Sequence, residues 1–128
     1  MLVKDVMNTE PYLLHEEETI LSASKFMREE KIRNLPVVDN DKKLVGLITL
    51  REIINILLGN PDKILIRDAM IKLITSVSPD TLLKEAVEIM LINKYGCLPV
   101  VDSKKKLIGM LTESDLLRVV HKYATLPV

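Results

Sequence analysis

Two four-residue steps combine the residue types that could hold a polar ligand: Thr112-Glu113-Ser114-Asp115 and Thr49-Leu50-Arg51-Glu52. In each, a hydroxyl stands three residues ahead of a carboxylate, where an apolar strand-like run gives way to a helical pattern. The start of a helix presents unpaired backbone N–H groups and the positive end of the helix dipole, a setting that suits phosphate. Thr112 offers a hydroxyl to such a phosphate, and Asp115 has two acceptor oxygens able to take both hydroxyls of a ribose. The same spacing is also a capping box, in which the two side chains satisfy the helix's own N–H groups and bind nothing else. Glu is the usual acid of that box, so Thr49 and Glu52 fit the capping reading better than Thr112 and Asp115 do.

The two steps are related through the whole chain. Shifting the sequence by 63 places, which brings Met7 onto Met70, aligns residues 3–57 with 66–120 without a gap. Asp5 meets Asp68, Ala23 meets Ala86, Met27 meets Met90, LPVVD at Leu35–Asp39 meets LPVVD at Leu98–Asp102, and Gly46 meets Gly109. Solenoid repeats generally need at least three copies to bury their faces, so two copies must cover each other, most simply about a pseudo-twofold axis. Residues 1–58 read as the first copy, 59–65 as a linker built around the breaker cluster Gly59-Asn60-Pro61-Asp62, and 66–128 as the second copy.

Each copy reads as strand, helix, strand, strand, helix. Ile20, Ala23 and Met27 recur at helical spacing, as do Leu83, Ala86, Val87 and Met90. Ser78-Pro79-Asp80-Thr81 has the composition of a helix start. Leu98–Val101 and Leu107–Leu111 are short apolar runs joined by a polar turn, and Asn40-Asp41-Lys42 makes the matching turn in the first copy. Helices over about Leu50–Leu58 and Glu113–Tyr123 close the copies, the latter with Leu116, Leu117, Val120 and Tyr123 on one stripe. The strands flanking the first helix of each copy should run parallel, because a crossover helix packs back on its sheet that way. The fold class is therefore α/β, two tandem β-α-β-β-α repeats.

Composition narrows the function. The 128 residues carry 18 basic and 18 acidic side chains, so no global field draws in nucleic acid or an anionic membrane. No apolar run approaches the length of a membrane span and the N-terminus lacks a secretory layout, which points to a soluble, cytoplasmic protein. Cys97 is the single cysteine and fits a reducing compartment. His15 and His121 have no partners at metal-ligand spacing.

Taken together, the D-h-M segment, the helix ending near Met, h-P-V-V-D, the basic turn, G-h-h-T and the Thr-x-x-acid step resemble the CBS domain. Two in tandem resemble a Bateman module, over residues 3 to about 120. The resemblance implies a regulatory module that is not an enzyme. It implies an adenosine-containing ligand, AMP, ADP, ATP or S-adenosylmethionine, in clefts between the repeats, and a homodimer formed through helices, with an effector protein still to be named. It also implies that a cleft takes its acid from one copy and the segment before h-P-V-V-D from the other. For the Asp115 cleft that segment is Lys31-Ile32-Arg33-Asn34, where Arg33 could fork onto phosphate oxygens, a contact worth roughly 1.5–3 kcal/mol. The Glu52 cleft would receive Tyr95-Gly96-Cys97, with no cation at the corresponding place, so the Asp115 cleft is the favoured one. Tyr12 and Ile32 are the candidates to face the base. Two other readings stand beside this one: a structural or assembly module with vestigial clefts, and an enzyme, for which the chain lacks a paired nucleophile, a glycine-rich phosphate loop or a metal cluster.

Overall fold

In each copy the apolar run before the basic turn pairs with the run after it. A computed structural model describes residues 1–56 and 63–124 of the chain; the expected end of the Leu50–Leu58 helix and the Gly59–Asp62 cluster lie outside the described residues. Strand β1 spans Leu14–His15, β2 Asn34–Val38, β3 Leu44–Thr49, β4 Cys97–Val101 and β5 Leu107–Thr112. Strands β2 and β3 are antiparallel, with Asn34 opposite Thr49 and Val37 opposite Gly46; β4 and β5 repeat that register, with Cys97 opposite Thr112 and Val100 opposite Gly109. The turns are held by the aspartate that ends LPVVD. Asp39 Oδ1 accepts the N–H groups of Asp41 and Lys43 at 2.8 and 3.0 Å, and Asp102 Oδ1 accepts those of Lys104 and Lys106 at 2.8 and 3.0 Å. Those backbone bonds, Lys106 first, hold the Asp102 carboxyl below its ordinary pKa. Lys42 and Lys105 both take the left-handed conformation, at φ 64°, a position more commonly given to glycine.

Helix α1 spans Ile20–Glu30, α2 Leu50–Ile56, α3 Ile66–Ala69, α4 Leu83–Asn93 and α5 Glu113–Tyr123. The hydroxyl of Thr19 caps α1 by accepting the Ser22 N–H at 3.2 Å. At the matching place α4 has Leu82, which offers no side-chain cap. The Ser78–Thr81 run folds instead as a turn, Thr81 N–H to the Ser78 carbonyl and Asp80 N–H to the Ser78 hydroxyl, and α4 begins only after it. The strands before α1 and α4 run parallel to their neighbours as expected: Leu14 pairs with Val37 in β2, whereas in the second copy the strand is reduced to a single bridge, Val77 to Val100.

The compact units are not the sequence copies. One consists of Met1–Pro11 with Thr75–Val128, the other of Tyr12–Ile74. Each opening segment has therefore left its own copy and closed the core of the other. Val3, fully buried, packs among Val77, Ala86, Met90, Leu98, Val100 and Leu111; Ile66, equally buried, packs among Leu14, Ala23, Met27, Leu35, Val37 and Ile48. Matching backbone bonds pin the two segments. Val3 N–H donates to the Thr81 carbonyl at 2.8 Å and Ile66 N–H to the Glu18 carbonyl at 2.7 Å. Asn8 exchanges both its backbone bonds with Met110, and Ile71 does the same with Leu47. Lys4 pairs with Asp80 at 3.2 Å and Arg67 with Glu17 at 2.7 Å.

The repeated methionine and glycine find each other across this exchange. A Cβ at Gly109 would lie 2.8 Å from Met7 Sδ and 2.9 Å from the Asn8 carbonyl oxygen, and one at Gly46 would lie 2.7 Å from Met70 Cγ. Both glycines are thus required by close approach. Gly109→Ala should destabilise the protein by about 1–3 kcal/mol, because the Asn8 backbone cannot retreat; Gly46→Ala should cost less, because the neighbour there is a flexible methionine side chain. Urea unfolding of the two variants reads the difference. Lys105→Gly relieves a left-handed residue while loosening the unfolded chain, and should raise stability by about 0.5 kcal/mol in the same assay.

Candidate functional site

Strand β5 ends at Thr112 and α5 begins at Glu113, so the Thr112–Asp115 step lies at the strand-to-helix junction expected for it. The side chains there are already engaged with each other. Asp115 Oδ2 accepts the Thr112 N–H at 2.8 Å and the Thr112 hydroxyl at 2.9 Å, and the Asp115 N–H reaches back to Thr112 Oγ1 at 3.4 Å. This is a complete capping box. Asp115 is only 6% exposed, and its other oxygen, Oδ1, accepts Nη1 of Arg118 at 2.9 Å. Thr112 has given its one hydroxyl proton to the acid, so a phosphate could take that proton only by opening the cap.

Thr49 and Glu52 form the acid's half of this cap with one oxygen. Glu52 Oε1 accepts both the Thr49 N–H and the Thr49 hydroxyl at 2.7 Å. No side chain among the described residues is bonded to its Oε2, and Asn55 stands where the second copy has Arg118. The longer acid reaches its threonine as well as the shorter one does. Among the described residues the copies differ in the Arg118 cation on Asp115 and in the return bond from the acid's N–H to the threonine hydroxyl, which is made only at Asp115.

Asn34 lies opposite Thr49 in the sheet, and the Leu50 N–H donates to the Arg33 carbonyl at 2.9 Å. The segment before LPVVD thus runs beside the Thr-x-x-acid step of its own copy. Arg33 is exposed, and Ile32 packs partly into the core of the unit. Both line a groove of about 410 Å³ together with Arg28, Lys31, Leu50 and Ile53. A groove of about 340 Å³ occupies the corresponding place in the other unit, lined by Leu91, Lys94, Tyr95, Glu113 and Leu116. The first is basic, and the second is mostly apolar.

Tyr12 belongs to the unit that holds Arg33 and Glu52. Its ring meets Phe26 edge-on at 4.9 Å and its hydroxyl donates to Glu30 Oε2 at 3.0 Å, an interaction that raises the phenol's pKa. Cys97 is buried at the start of β4; burial, aided by the Glu113 carboxylate, pushes its thiol up to about 12, so it stays a neutral packing group. Among the described residues no cluster of His, Cys, Asp and Glu could hold a metal ion, and no helix is long and apolar enough to cross a membrane. Arg118, which bonds Asp115, is marked in the repeat itself: it is a cation standing where the first copy has Asn55, three residues beyond the acid.

The chain resembles several known proteins over nearly its full length. It is 36% identical to the inosine-5'-monophosphate dehydrogenase of Methanocaldococcus jannaschii over 119 residues, covering 92% of this chain but 22% of that enzyme; the first curated relatives are all matched over about a quarter of their length or less. Among solved structures, the CBS domain pair of protein MJ0100, in complex with 5'-methylthioadenosine and S-adenosyl-L-methionine, is 29% identical, with a TM-score of 0.84 and coverage of 95% of this chain and 97% of that one. CBSX2 in complex with AMP is 25% identical, with a TM-score of 0.86 and coverage of 96% and 98%. The family model for the CBS domain matches twice, at residues 3–59 and 66–122. With two matches that reproduce the internal repeat and leave almost nothing outside them, the chain belongs to the CBS domain family as a tandem pair.

Proposed function

We propose that the protein is a cytoplasmic, non-catalytic regulatory module that takes up an adenosine-containing nucleotide, AMP, ADP, ATP or S-adenosylmethionine, in the cleft that the family resemblance implies between the copies. The observation that carries this reading is the Thr112–Asp115 step at the strand-to-helix junction of a chain whose structural relatives hold AMP or S-adenosyl-L-methionine. Asp115 is the ribose acceptor in this reading, with Thr112 and the N-terminus of α5 nearest the phosphate. Arg33 and Asn34 serve the anionic tail, and Ile32 and Tyr12 the base. Thr49 and Glu52 form the weaker, second seat. Binding would be read by an effector protein through a shift in the packing of the module.

A second reading, a structural or assembly module with vestigial clefts, is favoured by one specific observation: the Thr112 hydroxyl proton and both Asp115 oxygens are already used inside α5 and its cap. Calorimetric titration with each of the four nucleotides separates the two. Heat is expected with at least one, and Asp115→Asn, which keeps an oxygen for the cap, should weaken that binding about tenfold or more. Silence with all four would favour the structural module. We further propose a homodimer formed through the helices, a reading supported by the exposed Leu91 on α4 and Leu117 and Val120 on α5. Light scattering should give twice the chain mass, and Leu117→Glu should reduce it to that of a single chain.

A further inference from the structure

The two bonds that occupy the Asp115 carboxylate differ in kind. The contact of Oδ2 with Thr112 holds the start of α5 and recurs at Thr49 and Glu52. The contact of Oδ1 with Arg118 does not recur, because the first copy has Asn55 at that place. It also joins unlike partners: the side chain of Asp115 is 7% exposed and that of Arg118 is 75% exposed. A buried acid is therefore covered by a cation that solvent can pull away. A pair of this sort, charge-assisted but with one member in water, is weak enough to exchange and strong enough to compete.

We propose that Arg118 is an internal competitor for the Asp115 carboxylate, which a ribose must displace, and that it selects anionic over neutral adenosine ligands. The proposal rests on the reading of Asp115 as the ribose acceptor and deepens it. Oδ2 already accepts two bonds, so a sugar diol that places both hydroxyls on this carboxylate needs both lone pairs of Oδ1, and its binding begins by breaking the 2.9 Å bond to Arg118. A neutral nucleoside leaves the released guanidinium without a counter-charge. A nucleotide brings a phosphate with which it can pair again, so the same displacement costs the nucleotide less. The cap on Oδ2 remains in place throughout, which keeps the helix start formed while the ligand exchanges with the arginine.

The test is titration of the full chain and of Arg118→Gln with adenosine and with AMP, each at low and at high NaCl, after melting curves confirm that both proteins are folded. Removing the competitor should tighten adenosine about three- to fivefold, the range expected when a partly exposed ion pair no longer has to be broken, and should narrow the preference for AMP. Salt should tighten adenosine on the wild type, by screening the pair, and leave Arg118→Gln unmoved. The salt series on the wild type asks the same question without any substitution. Binding of adenosine by Arg118→Gln alone would support the competitor in its strongest form. Unchanged or weaker adenosine binding by the variant, or a loss confined to AMP, would overturn the proposal while leaving the nucleotide reading intact. No binding of either compound to either protein would overturn the proposal, and silence with ADP, ATP and S-adenosylmethionine as well would overturn the nucleotide reading with it.

Discussion

Neither copy of the repeat contains its whole core, and the rest of the structure depends on that. Val3 and Ile66 are fully buried, and each fills the core built by the other copy. Around them the backbone bonds, the outer ion pairs and the methionine-on-glycine contacts are all made between an opening segment and turns or strands distant in sequence. Contacts of that range bring little return until most of the chain is in place, so the two cores should form together and late in folding. The strand-to-helix junctions that position Thr112, Asp115, Thr49 and Glu52 are the far ends of the strands these segments brace.

The exchange was invisible for a reason rooted in the repeat itself. Met7 could meet Gly46 or Gly109, and Val3 could fill either core, because the two copies offer nearly the same partners. A pattern that is symmetric under the 63-residue shift cannot distinguish a segment that stays from one that crosses. What the pattern does determine is the content of each unit. The β-hairpins, the parallel strand before each first helix and the span of α5 were all legible, since period and turn chemistry are local. The copies differ in how that helix is started and not in where: α4 begins at Leu83, the counterpart of Ile20 in α1, although Leu82 lacks the oxygen with which Thr19 caps α1, and the Ser78–Thr81 run ahead of it is a turn.

At the candidate site the sequence showed which residues could act, and the geometry showed how they are already committed. The spacing of Thr112 and Asp115 suits both a ligand seat and a cap; they form the cap. Glu52, the usual acid of a capping box, closes its cap at 2.7 Å with a single oxygen. Tyr12, a candidate to face the base, has its ring and hydroxyl taken up by Phe26 and Glu30. Along the helix, the expected apolar stripe of α5 divides: Leu116 packs against the core of its unit while Leu117, Val120 and Tyr123 face outward. A hydrophobic pattern identifies the residues that avoid water but not which neighbour covers them.

The crossed segments also bear on how such a chain could arise. A single copy that reproduced either unit as described would have to take its opening segment from a second molecule. Its fold would then depend on concentration, as that of any obligate pair does. Joining two copies in one chain turns the trade into an internal event, in which each segment finds its partner at the high effective concentration set by a short tether. Once joined, the copies need not stay alike. Gly109 and Gly46 must keep their methionines, but Arg118 and Asn55 were free to diverge, and with them the two carboxylates beside which they stand.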